Sequence, residues 1–122
     1  MSLTKFCYND IEYSFDVSDA DDAEKMEAST RNMAENEKKL PKTGTSSEII
    51  RSQCGLIRSF FDDIFGEGAG AALCSERFSL TTHYDAYDAF LDFVRSQKQT
   101  IIDRGNKYKQ YSNREQRRHP QK

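Results

Sequence analysis

His83 and His119 are the only histidines of this chain, one beside an expected helix start and one near the end. A hydrolytic triad needs a Ser or Cys next to a His that a carboxylate orients, and no local spacing here supplies one. Cys7, Cys54 and Cys74 are odd in number, widely spaced and without a CxxC pair. That pattern fits neither a disulfide framework nor a zinc site, so reduced and mostly buried thiols are expected. Asp62-Asp63 and the series Asp85, Asp88, Asp92 place carboxylates at helical spacing. A metal or acid-base site would need such groups, yet the same spacing describes the wet face opposite an aromatic stripe, which is the simpler reading. Gly68-Ala69-Gly70 invites a phosphate loop, because glycines let backbone amides approach an anion. The GxGxxG form and the Walker lysine are absent, and these glycines follow an expected helix instead of a strand, so a connector is expected. No catalytic, metal or cofactor-binding residue is assigned, no cofactor is expected, and a non-enzymatic role follows.

The remaining candidates are arginines. In Asn113-Arg114-Glu115-Gln116-Arg117-Arg118, the bases Arg114, Arg117 and Arg118 form a short patch that could hold a partner. Clustered arginines neutralise phosphates. The whole chain, however, carries a net charge of -2, the patch is short, and no nucleic-acid fold accompanies it. A protein partner with an acidic surface is equally consistent with the arginines. Charge is also laid out unevenly: residues 1–40 hold ten acids against five bases, and residues 101–122 hold two against seven. An acidic front and a basic end permit association of copies, and a homo-oligomer is expected.

Elements must position these groups, and the hydrophobic periods indicate which. Residues 4–17 alternate in the strand period, with Phe6 and Tyr8, then Ile11, Tyr13, Phe15 and Val17, around an Asn9-Asp10 turn. A hairpin that small needs its aromatic face covered, by a helix or by a second subunit. Ser18 and Asp19 are N-cap residues before a helix over about 19–40, whose sparse apolar positions Ala23, Met26, Met33 and Leu40 form a narrow stripe. Thr45-x-x-Glu48 has capping-box spacing and opens a helix over 46–65. There Ile50, Cys54, Ile57, Phe61 and Ile64 recur at three and four residues, which puts this helix at the centre of the core. Gly66 stops it. A last helix over about 82–108, capped at Thr82, carries a stripe of Tyr84, Tyr87, Leu91, Val94, Ile101 and Tyr108.

The fold class expected is therefore α+β and mostly helical: an N-terminal two-stranded antiparallel hairpin packed on three principal helices. Residues 1–110 form a single domain, and residues 111–122 a flexible, disordered basic tail. Of 122 residues, 36% are hydrophobic and 31% charged, with a mean hydropathy of -0.85. With leucine scarce, Phe60, Phe61, Phe65, Phe90 and Phe93 must supply much of the core. No apolar run approaches a membrane span and no signal-peptide pattern opens the chain, so a cytoplasmic protein that does not engage membranes is expected.

In this order the motifs resemble a family of small uncharacterised proteins of phages and prophages of Gram-positive bacteria. The resemblance spans nearly the whole chain and rests on Phe60-Phe61-Asp62-Asp63-Ile64-Phe65-Gly66-Glu67-Gly68 and on residues 113–118, with residues 11–17 as support. In size, composition and arginine-rich end the chain is also similar to phage tail assembly chaperones. That likeness implies binding of the tape-measure protein, the long helical client of such chaperones, inside the bacterial host during virion morphogenesis. The alternative it leaves open is a small virion component such as a head-tail connector or tail-completion protein; a phage nucleic-acid-binding protein is the weakest of the three.

Overall fold

The computed structural model describes residues 4–118, with side chains through Ser112. Strands β1 (Lys5–Tyr8) and β2 (Ile11–Ser14) pair antiparallel, Phe6 opposite Tyr13 and Tyr8 opposite Ile11. Asn9 and Asp10 both take positive φ, 50° and 61°, the backbone a two-residue turn needs to match strand twist. The Asn9 amide donates to Leu73 O at 2.7 Å, anchoring the turn to the helical layer. Phe6, Tyr8, Ile11 and Tyr13 thus share the inner face, while Lys5, Cys7, Glu12 and Ser14 share the outer one, where Lys5 and Glu12 pair at 3.5 Å.

Helix α1 (Ala20–Lys39) starts at Asp19, whose carboxylate accepts from Asp22 N, and α2 (Ser46–Phe65) starts at Thr45, whose hydroxyl accepts from Glu48 N. Gly66, at φ 108°, ends α2 in a conformation open to glycine. A single turn and a half, α3 (Ala69–Cys74), then leads to α4 (Leu80–Arg118), a helix of 39 residues. Gly68-Ala69-Gly70 is accordingly a connector entering α3, as its position after a helix indicates.

Helix α2 lies at the centre, with α1, α3 and α4 packed around it and the hairpin closing the side formed by α4. Phe6, Phe15, Phe60, Phe61, Phe65, Phe90 and Phe93 meet in one aromatic cluster, with Ile57, Ile64 and Leu73 around it. Met26 and Met33 rest their stripe on that body, as the sparse pattern of α1 requires.

The start of α4, at Leu80, lies close to the expected one near Thr81 and Thr82: His83 N bonds Ser79 O, and the Ser79 hydroxyl accepts from Thr82 N at 3.5 Å. Two expectations for α4 are corrected. The helix continues past residue 108 to Arg118, so residues 111–118, expected as disordered tail, are helical; residues 119–122, His119 among them, lie outside the described residues. No proline interrupts α4, and its Gln, Lys and Arg favour helix strongly enough to carry it past Gly105. The buried face is turned by one position from the expected stripe. It runs through His83, Ala86, Phe90, Val94 and Gln97, whereas Tyr84, Ile101 and Tyr108 are exposed.

Gln97 shows why polar residues sit on that face. Its amide donates to Phe15 O at 2.7 Å, and its carbonyl accepts from Val17 N at 3.0 Å. These bonds occupy backbone groups where the chain leaves the hairpin and has no strand partner, a need that an apolar residue could not meet.

Candidate functional site

Ile101 and Arg104 still border the hairpin exit at Thr4, Asp16, Val17 and Ser18, and beyond Arg104 α4 runs off the body. Every described side chain over residues 101–112 is exposed, and at about 1.5 Å per residue the segment 101–118 reaches about 27 Å. Ile101, Ile102, Tyr108 and Tyr111 remain large apolar groups in water, 41–60% exposed. Ile101, Tyr108 and Tyr111 recur at seven and three residues and so share one face, with Gly105 between them presenting no side chain. Arg104, Lys107 and Lys109 flank that face, and residues 104–112 hold no acid. Arg104 hydrogen-bonds and electrostatically favours the Tyr108 phenolate, holding this phenol below its ordinary value, with Lys107 adding to the effect. The accessible surface, 8950 Å², exceeds the roughly 6,700 Å² of a compact monomer of this mass, as such an arm requires.

Arg114, Arg117 and Arg118 belong to the last turns of α4, so the arm carries them, but their side chains lie outside the described residues. The two halves of the resemblance thereby separate. Phe60, Phe61 and Ile64 are core and Gly66 is a cap, whereas residues 113–118 are on the arm.

A second feature faces solvent beside the root of the arm. Phe15, Val17, Ala23, Met26, Thr30 and Ala34, together with the charged Glu27, Arg31 and Lys98, line an open, largely apolar groove of about 550 Å³ between the hairpin exit, α1 and α4. Periodicity alone could not find it, because it exists only where three elements separated in sequence diverge.

The carboxylates singled out by spacing do structural work. Asp62 accepts from Gly70 N at 2.7 Å and so ties α3 to α2, Asp63 meets the Asn32 amide at 3.4 Å, and Asp92 pairs with Arg95 on the surface. Asp85 and Asp88 are exposed. Among the described residues, no group of three or more His, Cys, Asp or Glu side chains is placed to hold a metal, and no helix is long and apolar enough to cross a membrane.

His83 is fully buried. Arg58 Nε donates to His83 Nε2 at 2.9 Å, and since arginine can only donate, the imidazole is neutral there with its proton on Nδ1, which donates to Ser79 O at 2.7 Å. Arg58 also donates to Ser75 O and covers the Phe78 ring, so the pair clamps the α3–α4 connection onto α2. Burial pushes the His83 pKa below the ordinary 6.5, the bond to Ser79 opposes this, and the Arg58 charge adds to the lowering. Between that lowered value and 6.5 the unfolded chain binds more protons than the folded one, so stability is fully present above pH 6.5 and declines as pH falls through this window. His83→Gln should remove that part of the pH slope; melting temperatures of both proteins across pH 7 to 5 test it, and parallel curves would refute it.

Cysteine chemistry is divided in the same physical way. Cys54 and Cys74 are fully buried, which raises both thiol pKa values, that of Cys74 to about 11, whereas Cys7 stands exposed on the outer face of β1. All three are free, and two of the three are buried, in keeping with the expectation of mostly buried thiols. A thiol reagent at neutral pH should therefore titrate one group per native chain rapidly and three after denaturation. Fast labelling of Cys54 or Cys74 in the native protein would show the core to be looser than described.

No curated protein and no solved structure matches the chain. A family model does match, over residues 9–121, from the hairpin turn through the arm. Because that match takes in β2, all four helices and the arm, this chain belongs to the family of unknown function DUF6673.

Proposed function

We propose that this protein is a non-enzymatic assembly factor of the phage tail assembly chaperone kind, acting in the bacterial cytoplasm on the tape-measure protein. The observation that carries this reading is the α4 arm, whose Ile101, Ile102, Tyr108 and Tyr111 remain in water on a helix with Arg104, Lys107 and Lys109. An exposed apolar stripe bordered by one sign of charge suits a protein client that is apolar and helical, with acidic flanks. Shielding such a client until tail subunits polymerise around it needs a binding surface and no reacting group. The resemblance of residues 113–118 to the arginine-rich ends of tail chaperones supports the same assignment, since these residues continue the arm.

Co-expression with the tape-measure protein of the same phage tests it. The two should co-purify, and Tyr108→Glu with Tyr111→Glu should abolish recovery of the client while leaving the fold intact. Mass spectrometry of purified virions should not find the chain. Its presence there at stoichiometric copy number would replace this reading with a virion structural component. Salt-sensitive binding to DNA or RNA that is lost on changing Arg114, Arg117 and Arg118 to Ala would replace it with a nucleic-acid binder.

A further inference from the structure

We propose that His83, Arg58 and the strained backbone of Ser75 form a proton-operated latch, which holds the α3–α4 connector, residues 75–79, against α2 at neutral pH and releases it in acid. Ser75 sits at φ 78° and ψ 160°. Only glycine occupies that region freely, and a residue with a Cβ persists there only where its surroundings hold it. The hold comes from one side chain. Arg58 Nη2 donates to Ser75 O at 2.6 Å, its Nε donates to His83 Nε2 at 2.9 Å, and its guanidinium lies 4.2 Å from the centre of the Phe78 ring. Phe78 in turn stacks on His83, with centroids 6.3 Å apart. The carbonyl of the strained residue, the aromatic ring of the connector and the imidazole are thus gathered on a single guanidinium. Residues 75–78 are exposed and add no buried side chain to the hold.

A neutral imidazole can accept from Arg58. A protonated one cannot, because both of its nitrogens then donate and its charge stands 2.9 Å from a nitrogen of another cation. Arg58 must then leave His83, and Ser75 loses its hold with the same movement. No acid offsets the second charge: among the described residues neither His83 nor Arg58 pairs with a carboxylate. Cys54 and Cys74 face Arg58 from α2 and α3 as thiols that burial keeps neutral, and Asp62, which bears on Cys74, is engaged by Gly70 N. On the outer side Arg51 lies 5.2 Å from the centre of the Phe78 ring, while Glu76 and Arg77 on the connector and Asp85 on α4 are exposed. Leu73 and Cys74, fully buried at the end of α3, directly precede the strained residue, so the opening reaches Cys74 first. The latch goes beyond the proposed function and uses no residue of the arm, so the two fail separately.

Hydrogen exchange of the full chain from pH 7.5 to 5, corrected for the intrinsic pH dependence of exchange, is the test. Residues 75–83 should exchange ahead of residues 56–61 in α2, because the connector opens without global unfolding. Their protection should fall by up to about tenfold per pH unit between 6.5 and the lowered pKa of His83, the slope that uptake of one proton allows. His83→Gln still accepts from Arg58 but does not titrate, so it should abolish this pH dependence. Ser75→Gly relieves the strain at an exposed position and should raise connector protection about fivefold with the pH slope intact. A connector that exchanges no faster than residues 56–61 at pH 5 would overturn the proposal, since opening would then be global only. So would a pH dependence that survives His83→Gln, or a Ser75→Gly variant whose connector is no better protected than that of the original protein.

Discussion

Phe90→Ala is expected to lower the free energy of unfolding by about 3–5 kcal/mol, the largest effect of any single truncation in this protein. The Phe90 ring is fully buried and has Phe6, Phe15, Phe60, Phe61, Phe65 and Phe93 around it, with centroids 5.3–6.3 Å away. Most of these contacts are edge-to-face, the geometry in which a ring's positive edge meets a neighbour's negative face. Removing Phe90 leaves a cavity whose walls come from the hairpin, α2 and α4, and rigid rings of three elements cannot close on it together. A domain of this size is stable by only about 5–15 kcal/mol, so the loss is a large share of the whole. Urea unfolding checks it: the midpoint should fall by about 1 M or more with little change in slope. A loss below about 1 kcal/mol would mean that the rings are not held as described.

Gly70→Ala is expected to be nearly as damaging, at about 3 kcal/mol, for a reason unrelated to glycine's backbone freedom. A Cβ on Gly70 would stand 2.5 Å from Arg58 O and 2.6 Å from Arg58 Cα. Both are backbone atoms inside α2, so no side chain can swing aside. Helix α3 would have to lift, stretching the Gly70 bond to Asp62 and drawing the buried Leu73 and Cys74 outward. Gly55→Ala serves as the control. Its Cβ meets nothing within 4 Å, and alanine in mid-helix should stabilise by about 0.5–1 kcal/mol. Equal melting temperatures for the two variants would show that α2 and α3 are not in close contact.

Local patterns in the sequence predicted the elements well where one physical signal governed them. The bounds of α2 follow from Thr45 and Gly66, and the hairpin register follows from alternation about Asn9-Asp10. The face of α4 was misread because two of its inward positions are polar. His83 and Gln97 lie in phase with Phe90 and Val94, and a polar residue at such a position is itself a signal of a backbone group needing a partner. The partners, Phe15 and Val17 for Gln97 and Arg58 for His83, are distant in sequence, so no local pattern names them. The end of α4 was read as a tail because its apolar residues thin out, yet helix propensity persists where burial stops. Of the candidate site, the sequence offered the arginines and the charge layout; the groove required the fold.

The unequal halves of α4 also bear on how this protein opens and closes. An isolated helix of the arm's length would be marginal in water, because its first turn must be nucleated at a cost. Here the buried half, from His83 to Gln97, supplies the nucleus, and the arm only propagates it. Its amides therefore belong to a different cooperative unit from those of the core. Hydrogen exchange along this single helix should step sharply near Gln97, slow on the core side and progressively faster beyond it, with Gly105 as the first place to unzip. Whatever binds the arm then acts on a local helix-coil equilibrium as well as on a surface. The measure of engagement is how far along α4 the slow-exchanging boundary moves.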